Sequence, residues 1–182
     1  MKAQIIDDIF AIFRKSGSLN YGEDVSQMEH ILQCGHLARI DGASNALIAA
    51  ALLHDIGQFF NDAGNAAEQK GVDARHEVTG AAYLAPYFPD SVTEPVRLHV
   101  EAKRYLCTAE PGYLESLSCA SALSLSLQGG PHDEQQMADF LALPAAQSAI
   151  RLRRYDDQGK KRDWDVPGLD SYRPLLESLL RA

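Results

Sequence analysis

The chain is predicted to be all-α, on three observations. Apolar residues recur at helical spacing, clusters of Gly, Pro and Ser break that spacing at intervals, and no alternating run of β-branched or aromatic residues interrupts it. Its 182 residues are the size of one domain, and residues 1–182 are read as one. With 46% apolar and 23% charged residues, the composition is that of an ordinary folded protein. It excludes a disordered tail, a collagen-like fibre or a coiled coil as a description of the whole chain.

Each element follows from its own pattern. Ile5, Ile6, Ile9 and Phe13 mark a first helix, which Ser16-Gly17-Ser18 ends. A second is expected from about Glu23 to Ile40, stopped by Asp41-Gly42. A third is expected from about Asn45 to Ile56, with Gly57 as its C-cap. Its stretch from Ala46 to Leu53 is apolar nearly all round, which places it at the centre of a bundle. Phe60 to Val72 is polar, contains Gly64 and Gly71, and reads as a loop. A fourth helix should cover about Ala74 to Leu84 and stop before Pro86. A fifth should run from about Thr93 to Leu106, with Pro95 tolerated in its first turn. A sixth is expected from Tyr113 to Leu127, ended by Gly129-Gly130-Pro131, followed by a short one from Asp133 to Leu141. A seventh should span about Ala145 to Tyr155. A polar loop from Asp156 to Gly168 and a last helix from Tyr172 to Leu180 complete the chain.

Charge narrows the partners. Lys and Arg number 17 against 25 Asp and Glu, a net charge of -8, so the chain is a poor general polyanion binder and no nucleic-acid partner is expected. A small anion held by a few local cations remains compatible. Cys34, Cys107 and Cys119 form neither a disulfide framework nor a close-spaced zinc motif. The N-terminal residues do not read as a signal peptide, and no apolar stretch approaches the roughly 20 residues that span a bilayer. A cytoplasmic protein with no membrane partner is expected.

The chemistry concentrates in the histidines. Of six, His30, His54, His76 and His99 lie in or beside apolar helical stretches, while His36 and His132 read as bland. His54-Asp55 closes the most apolar helix, where an unpaired aspartate would be costly to bury. A metal ion removes that cost, and one carboxylate can bridge two ions. Histidines on separate packed helices can converge on one point. Taken singly, each is more often a satisfied core residue than a ligand.

In its order His30, His54-Asp55, His76, His99 and a late aspartate, the chain resembles the diiron branch of the HD-domain superfamily. Two extra histidines between the His-Asp pair and the final aspartate are that branch's two-metal mark. Tyr21-Gly22-Glu23 with Gln27-Met28-Glu29-His30, the run Ser118 to Pro131, and Leu152 to Lys160 resemble the 2-amino-1-hydroxyethylphosphonate oxygenases, including their trimethylammonio-substrate variant. The likeness extends from about residue 20 to 165. The chain more distantly resembles inositol oxygenase, which has the same ligand order and an Asp-x-x-x-Lys segment matched by Asp156 and Lys160.

The resemblance implies an HD-domain helical bundle with two iron ions, a mixed-valent Fe(II)/Fe(III) pair, and O2 as co-substrate. One metal would be bound by His30, His54, Asp55 and Asp156, the other by His76, His99 and the bridging Asp55. Asp157 is then left as a solvated loop charge. Lys103, one turn after His99, and Arg153, three residues before Asp156, would hold a phosphonate, with Ser121 and Ser124 as further donors. Read without the resemblance, those serines bond back to their own helix. Tyr21 and Glu23 would guard the site, Tyr21 as a lid on iron and Glu23 meeting the amine, and both join Asp55 and Lys103 as catalytic candidates. Gln58 replaces a histidine frequent in the family, and Phe59-Phe60 after it favour a quaternary ammonium through cation–π contact.

The implied reaction is cleavage of a carbon–phosphorus bond. The substrate would be (R)-1-hydroxy-2-(trimethylammonio)ethylphosphonate or (R)-2-amino-1-hydroxyethylphosphonate, giving glycine betaine or glycine plus phosphate. Two alternatives stand beside it: a two-metal phosphohydrolase acting on a nucleotide or another phosphate ester, and a non-catalytic all-α interaction domain.

Overall fold

A computed structural model describes residues 2–18, 20, 24–60 and 71–181. Ten α-helices and two 3-10 turns occur among them, and no strand. The helices are α1 (Lys2–Ser16), α2 (Gln27–Ile40), α3 (Asn45–Leu53), α4 (His76–Leu84), α5 (Asp90–Ala109), α6 (Tyr113–Ser116), α7 (Cys119–Leu127), α8 (Glu134–Leu141), α9 (Ala146–Gln158) and α10 (Arg173–Leu179).

The apolar α3 is the centre, as its composition requires. Every residue from Leu47 to Leu53 is buried, and α2, α5, α9 and α10 all pack against it. Ile6, Ile9, Phe10 and Phe13 of α1 close one side of the same core, with Leu84, Phe88, Leu152 and Tyr172 from later elements. A smaller cluster of Leu98, Ala102, Phe140, Ala146 and Ala149 joins α5, α8 and α9. No helix among the described residues is long and apolar enough to cross a membrane.

Several boundaries differ from expectation, each for a local reason. The second helix begins at Gln27, not Glu23. Ser26 caps it, its hydroxyl accepting from the Glu29 amide at 3.3 Å while the Glu29 carboxylate accepts from the Ser26 amide at 2.7 Å. The third ends at Leu53 rather than Ile56, and the chain turns through His54 and Asp55 into a 3-10 turn, Ile56–Phe59. Gly57 is therefore no C-cap. It is required by close approach: a Cβ there would sit 2.0 Å from the His76 carbonyl oxygen. The fourth starts at His76, after Arg75 takes a left-handed φ of 48°.

The fifth begins three residues early, at Asp90, so Pro95 lies inside the helix and not in its first turn. Its ring removes one amide donor near the start and the helix continues. The expected sixth helix is two: Leu117 is extended, and Ser118 then caps α7 by accepting from the Ser121 amide at 3.2 Å. The seventh continues to Gln158, so Asp156 and Asp157 are helical and not in a loop. The last helix starts at Arg173, after a 3-10 turn at Leu169–Tyr172. Most of the expected loop after Phe60, and the segment holding Tyr21 and Glu23, lie outside the described residues.

Candidate metal centre and anion pocket

Four elements bring the histidines together. His30 sits one turn into α2, His54 and Asp55 follow the end of α3, His76 opens α4, and His99 is midway along α5. All five side chains are buried, as is Asp156 of α9. His54 keeps helical dihedrals and Asp55, at φ -95° and ψ 8°, leads into the 3-10 turn, so the two side chains leave the backbone in different directions yet meet, with His54 Nε2 3.6 Å from Asp55 Oδ2.

Two groups of donor atoms result. His30 Nε2 and His54 Nε2 are 3.3 Å apart, and Asp156 Oδ1 is 3.4 Å from His30 Nε2. His76 Nε2 and His99 Nε2 are 3.1 Å apart. Asp55 stands between: its Oδ2 is 3.7 Å from His30 Nε2 and 3.6 Å from His54 Nε2, while its Oδ1 is 3.3 Å from His76 Nε2 and 3.9 Å from His99 Nε2. The two oxygens of one carboxylate thus face two separate histidine pairs.

The outer ring nitrogens show why these groups suit metal ions. The Nδ1 atoms of His30, His54 and His99 lie 2.8, 2.9 and 2.7 Å from the carbonyls of Gly159, Ala51 and Val96. A carbonyl only accepts, so each Nδ1 carries the proton. In the neutral ring, Nε2 is then an inward lone pair. Two such lone pairs 3.3 Å apart, as on His30 and His54, repel unless a cation or proton lies between them. This arrangement of backbone-braced imidazoles around carboxylates is that of a metal site.

Charge balance agrees. Burial alone would raise the Asp55 carboxyl, but the His54 charge and the His76 hydrogen bond outweigh it and hold it well below the usual range. Burial opposes ionisation of Asp156 too, and the Arg153 guanidinium and His30 hold it well down. Burial and the neighbouring His76 and His54 push His99 down to about 3, so it stays neutral and able to donate a lone pair.

One donor was missed. Cys34 lies one turn after His30 and its Sγ is 3.7 and 3.8 Å from the two nitrogens of that ring. His30, Cys34 and His54 form one possible metal-holding triad; Asp55, His76 and His99 form the other. The i, i+4 spacing on α2 was the available signal. Burial pushes the thiol up, and it donates to the Tyr155 carbonyl at 3.4 Å. A protonated, engaged thiol is a weaker ligand than a carboxylate.

A cavity opens over the donor atoms. Lys103, Ser121, Ser124, Arg153 and Gln58 all line it. Lys103 Nζ donates to Ser124 Oγ at 2.7 Å and Lys160 Nζ to Ser121 Oγ at 3.2 Å. Ser124 also donates back to the Ser121 carbonyl at 3.1 Å. Lys160, Gln27, Val100 and Ala120 line the same cavity, although the sequence alone did not mark them as site residues. Tyr21 and Glu23 lie outside the described residues.

Arg153 is 3% exposed and held on three sides. Its Nη1 donates to Asp156 Oδ2 at 2.7 Å, its Nη2 to Asp157, and its Nε to the Tyr113 hydroxyl at 3.1 Å. Tyr113 in turn donates to Asp157. Asp157 is thus not a solvated loop charge. It is the third corner of a network that fixes the guanidinium. Burial would lower the Arg153 pKa, but Asp156 and Asp157 keep it well above the ordinary value.

The aromatic expectation fails. Phe59 packs edge-on against Phe13 with centroids 5.0 Å apart, and Phe60 against Tyr83 at 4.8 Å. Neither lines the cavity, and no Phe, Tyr or Trp does among the described residues. His36 stacks edge-on with Trp164, and His132 bonds Glu101 at 2.7 Å. Neither joins the cluster.

Comparison with known proteins fits this geometry. Residues 28–136 match the family model described as "HD domain". The chain is 43% identical over 178 residues to a hydroxymethylphosphonate dioxygenase of Gimesia maris, covering 96% of this chain and 88% of that one. It is 38% identical over 180 residues to a [1-hydroxy-2-(trimethylamino)ethyl]phosphonate dioxygenase (glycine-betaine-forming) of Leisingera caerulea, covering 98% and 92%. An uncharacterised protein of Acanthamoeba polyphaga mimivirus is 32% identical over 176 residues, covering 95% and 80%. With the histidine and aspartate donors gathered on one helical bundle and the match extending over nearly the whole chain, the protein belongs to the HD-domain family of metal-dependent enzymes, in the group related to the phosphonate dioxygenases.

Proposed function

We propose that the protein is an iron- and O2-dependent oxygenase that cleaves the carbon–phosphorus bond of a small 1-hydroxyphosphonate. The observation that carries this reading is the placing of two buried donor clusters, joined by the two oxygens of Asp55, directly beneath a cavity lined by Lys103, Lys160 and Arg153. One metal would take His30, His54, Asp55 and Asp156, with the Asp156 carboxylate rather than the thiol of Cys34. The other would take His76, His99 and Asp55. Imidazole and carboxylate suit iron. Two iron ions so held, as a mixed-valent pair, would supply dioxygen activation and Lewis-acid polarisation of a substrate hydroxyl.

The chain's own residues do the rest. Lys103 and Lys160 are compact charges beside two serine hydroxyls, a setting suited to phosphonate oxygens. Arg153 spends most of its donors on Asp156, Asp157 and Tyr113, so its main task is to brace a metal-binding carboxylate while lending charge to the anion. Ser121 and Ser124 complete the anion cradle through Lys160 and Lys103. A cradle fixed in this way holds the carbon next to phosphorus over the donor clusters.

Hydroxymethylphosphonate is the favoured substrate. The described cavity wall offers cations and neutral amides, but no aromatic face for a quaternary ammonium. The balanced reaction converts hydroxymethylphosphonate and O2 into formate and phosphate, with O2 as the oxidant. The trimethylammonio and primary-amine compounds would instead give glycine betaine and glycine.

The test is oxygen uptake and phosphate release by iron-loaded, reduced protein, with the three phosphonates side by side. Equimolar oxygen consumption and phosphate release from hydroxymethylphosphonate is expected. Turnover of the trimethylammonio compound alone would retain the oxygenase and reject the substrate choice. No oxygen uptake from protein shown to hold two irons, with hydrolysis of phosphate esters, would establish the two-metal phosphohydrolase instead.

A further inference from the structure

One polar residue at the cavity, outside the metal and anion sets, carries a buried atom with no partner. Gln27 is 5% exposed and lines the pocket, and its Oε1 is buried without a hydrogen-bond partner. Buried polar atoms are seldom left so, because the lost hydration is not recovered. Gln27 is the first residue of α2, one turn before His30, so its amide and that imidazole share a face of the helix.

An amide oxygen is an acceptor and cannot pair with phosphonate oxygens, which are acceptors too. The cations that suit the phosphonate come from other elements: Lys103 from α5, Arg153 from α9, and Lys160 from just beyond α9. What Gln27 needs is a donor brought by the ligand. Resting on the phosphonate-oxygenase reading, we infer that Gln27 is a substrate-binding residue whose Oε1 accepts a hydrogen bond from the hydroxyl on the carbon next to phosphorus. It selects 1-hydroxyphosphonates over their deoxy analogues, because a ligand without the hydroxyl leaves this oxygen buried and unpaired.

The experiment is a cycle of residue against ligand, read as binding and not as turnover. Metal-loaded protein is titrated without oxygen with hydroxymethylphosphonate and with methylphosphonate, in the unaltered form and as Gln27→Met. Methionine keeps the length of the side chain and removes its acceptor. Hydroxymethylphosphonate should bind about tenfold more weakly to Gln27→Met, with methylphosphonate unchanged. The thermal midpoint should hold or rise, since an unsatisfied buried oxygen is gone. Equal weakening of both ligands, or a lowered midpoint, would make Gln27 a structural residue and overturn the inference. No weakening of either would mean that water alone satisfies Oε1, and would overturn it equally. If the unaltered protein binds neither phosphonate, the oxygenase reading falls and this inference falls with it.

Discussion

At the scale of single residues, Arg153 is the joint between metal centre and anion pocket. It touches Asp156, Asp157, Ser121 and Tyr113 at once. A lysine has one point charge and no planar fork, so it cannot keep these contacts together. Arg153→Lys should lower kcat/KM for the phosphonate by about 100-fold and reduce the bound metal below two per chain, since Asp156 loses its brace. Metal analysis beside steady-state kinetics checks both. Full metal content with a raised KM alone would confine Arg153 to the anion. Arg154, exposed and paired with Glu110 at 2.6 Å, is the natural control, and Arg154→Lys should change neither quantity.

At the scale of elements, the turn after α3 sets the site. Its shape depends on the missing side chain at Gly57, where the His76 carbonyl comes within 2.0 Å of the Cβ position. Two segments that carry donor atoms, His54-Asp55 and His76, are held together by that approach. Gly57→Ala must push backbone away from backbone, which no rotamer change can relieve. A loss of about 1–3 kcal/mol is expected, measured as a lowered urea midpoint at constant slope. An unchanged midpoint would show that the turn relaxes freely. The same turn also bounds how much was legible: α3 is plain from its apolar run, whereas its end at Leu53 is not, because Ile56 continues the hydrophobic pattern beyond it.

At the scale of the whole molecule, the site is where distant segments of the chain meet. His30, Asp55, His76, His99 and Asp156 come from α2, the turn after α3, α4, α5 and α9, and the cluster exists only when the bundle is assembled. Metal bound there adds its binding free energy to folding. At a free metal concentration about 100 times Kd, that is about 2.7 kcal/mol. Chelation should therefore lower the thermal midpoint by roughly 5–10 °C for a chain of this size. Calorimetry with and without chelator decides it, and an unchanged midpoint would mean that the folded cluster binds no metal in preference to the unfolded chain.

The sequence by itself determined the helical class, the central position of α3 and the residues around the donor cluster. It could do so because histidine is rare here and four of the six sit in apolar helical surroundings, where an unsatisfied ring is costly. Turn spacing put Lys103 on the helix face of His99 and Arg153 on that of Asp156, since i, i+3 and i, i+4 neighbours share a face, and both line the cavity. Only the tertiary structure decided that Asp157 and Tyr113 hold Arg153, that Phe59 and Phe60 pack on Phe13 and Tyr83, and that the Gln27 Oε1 has no partner. Most of these are relations between elements far apart along the chain. Local periodicity fixes which face of a helix is apolar, but packing alone decides which polar atoms find a partner on the next helix and which are left waiting for a ligand.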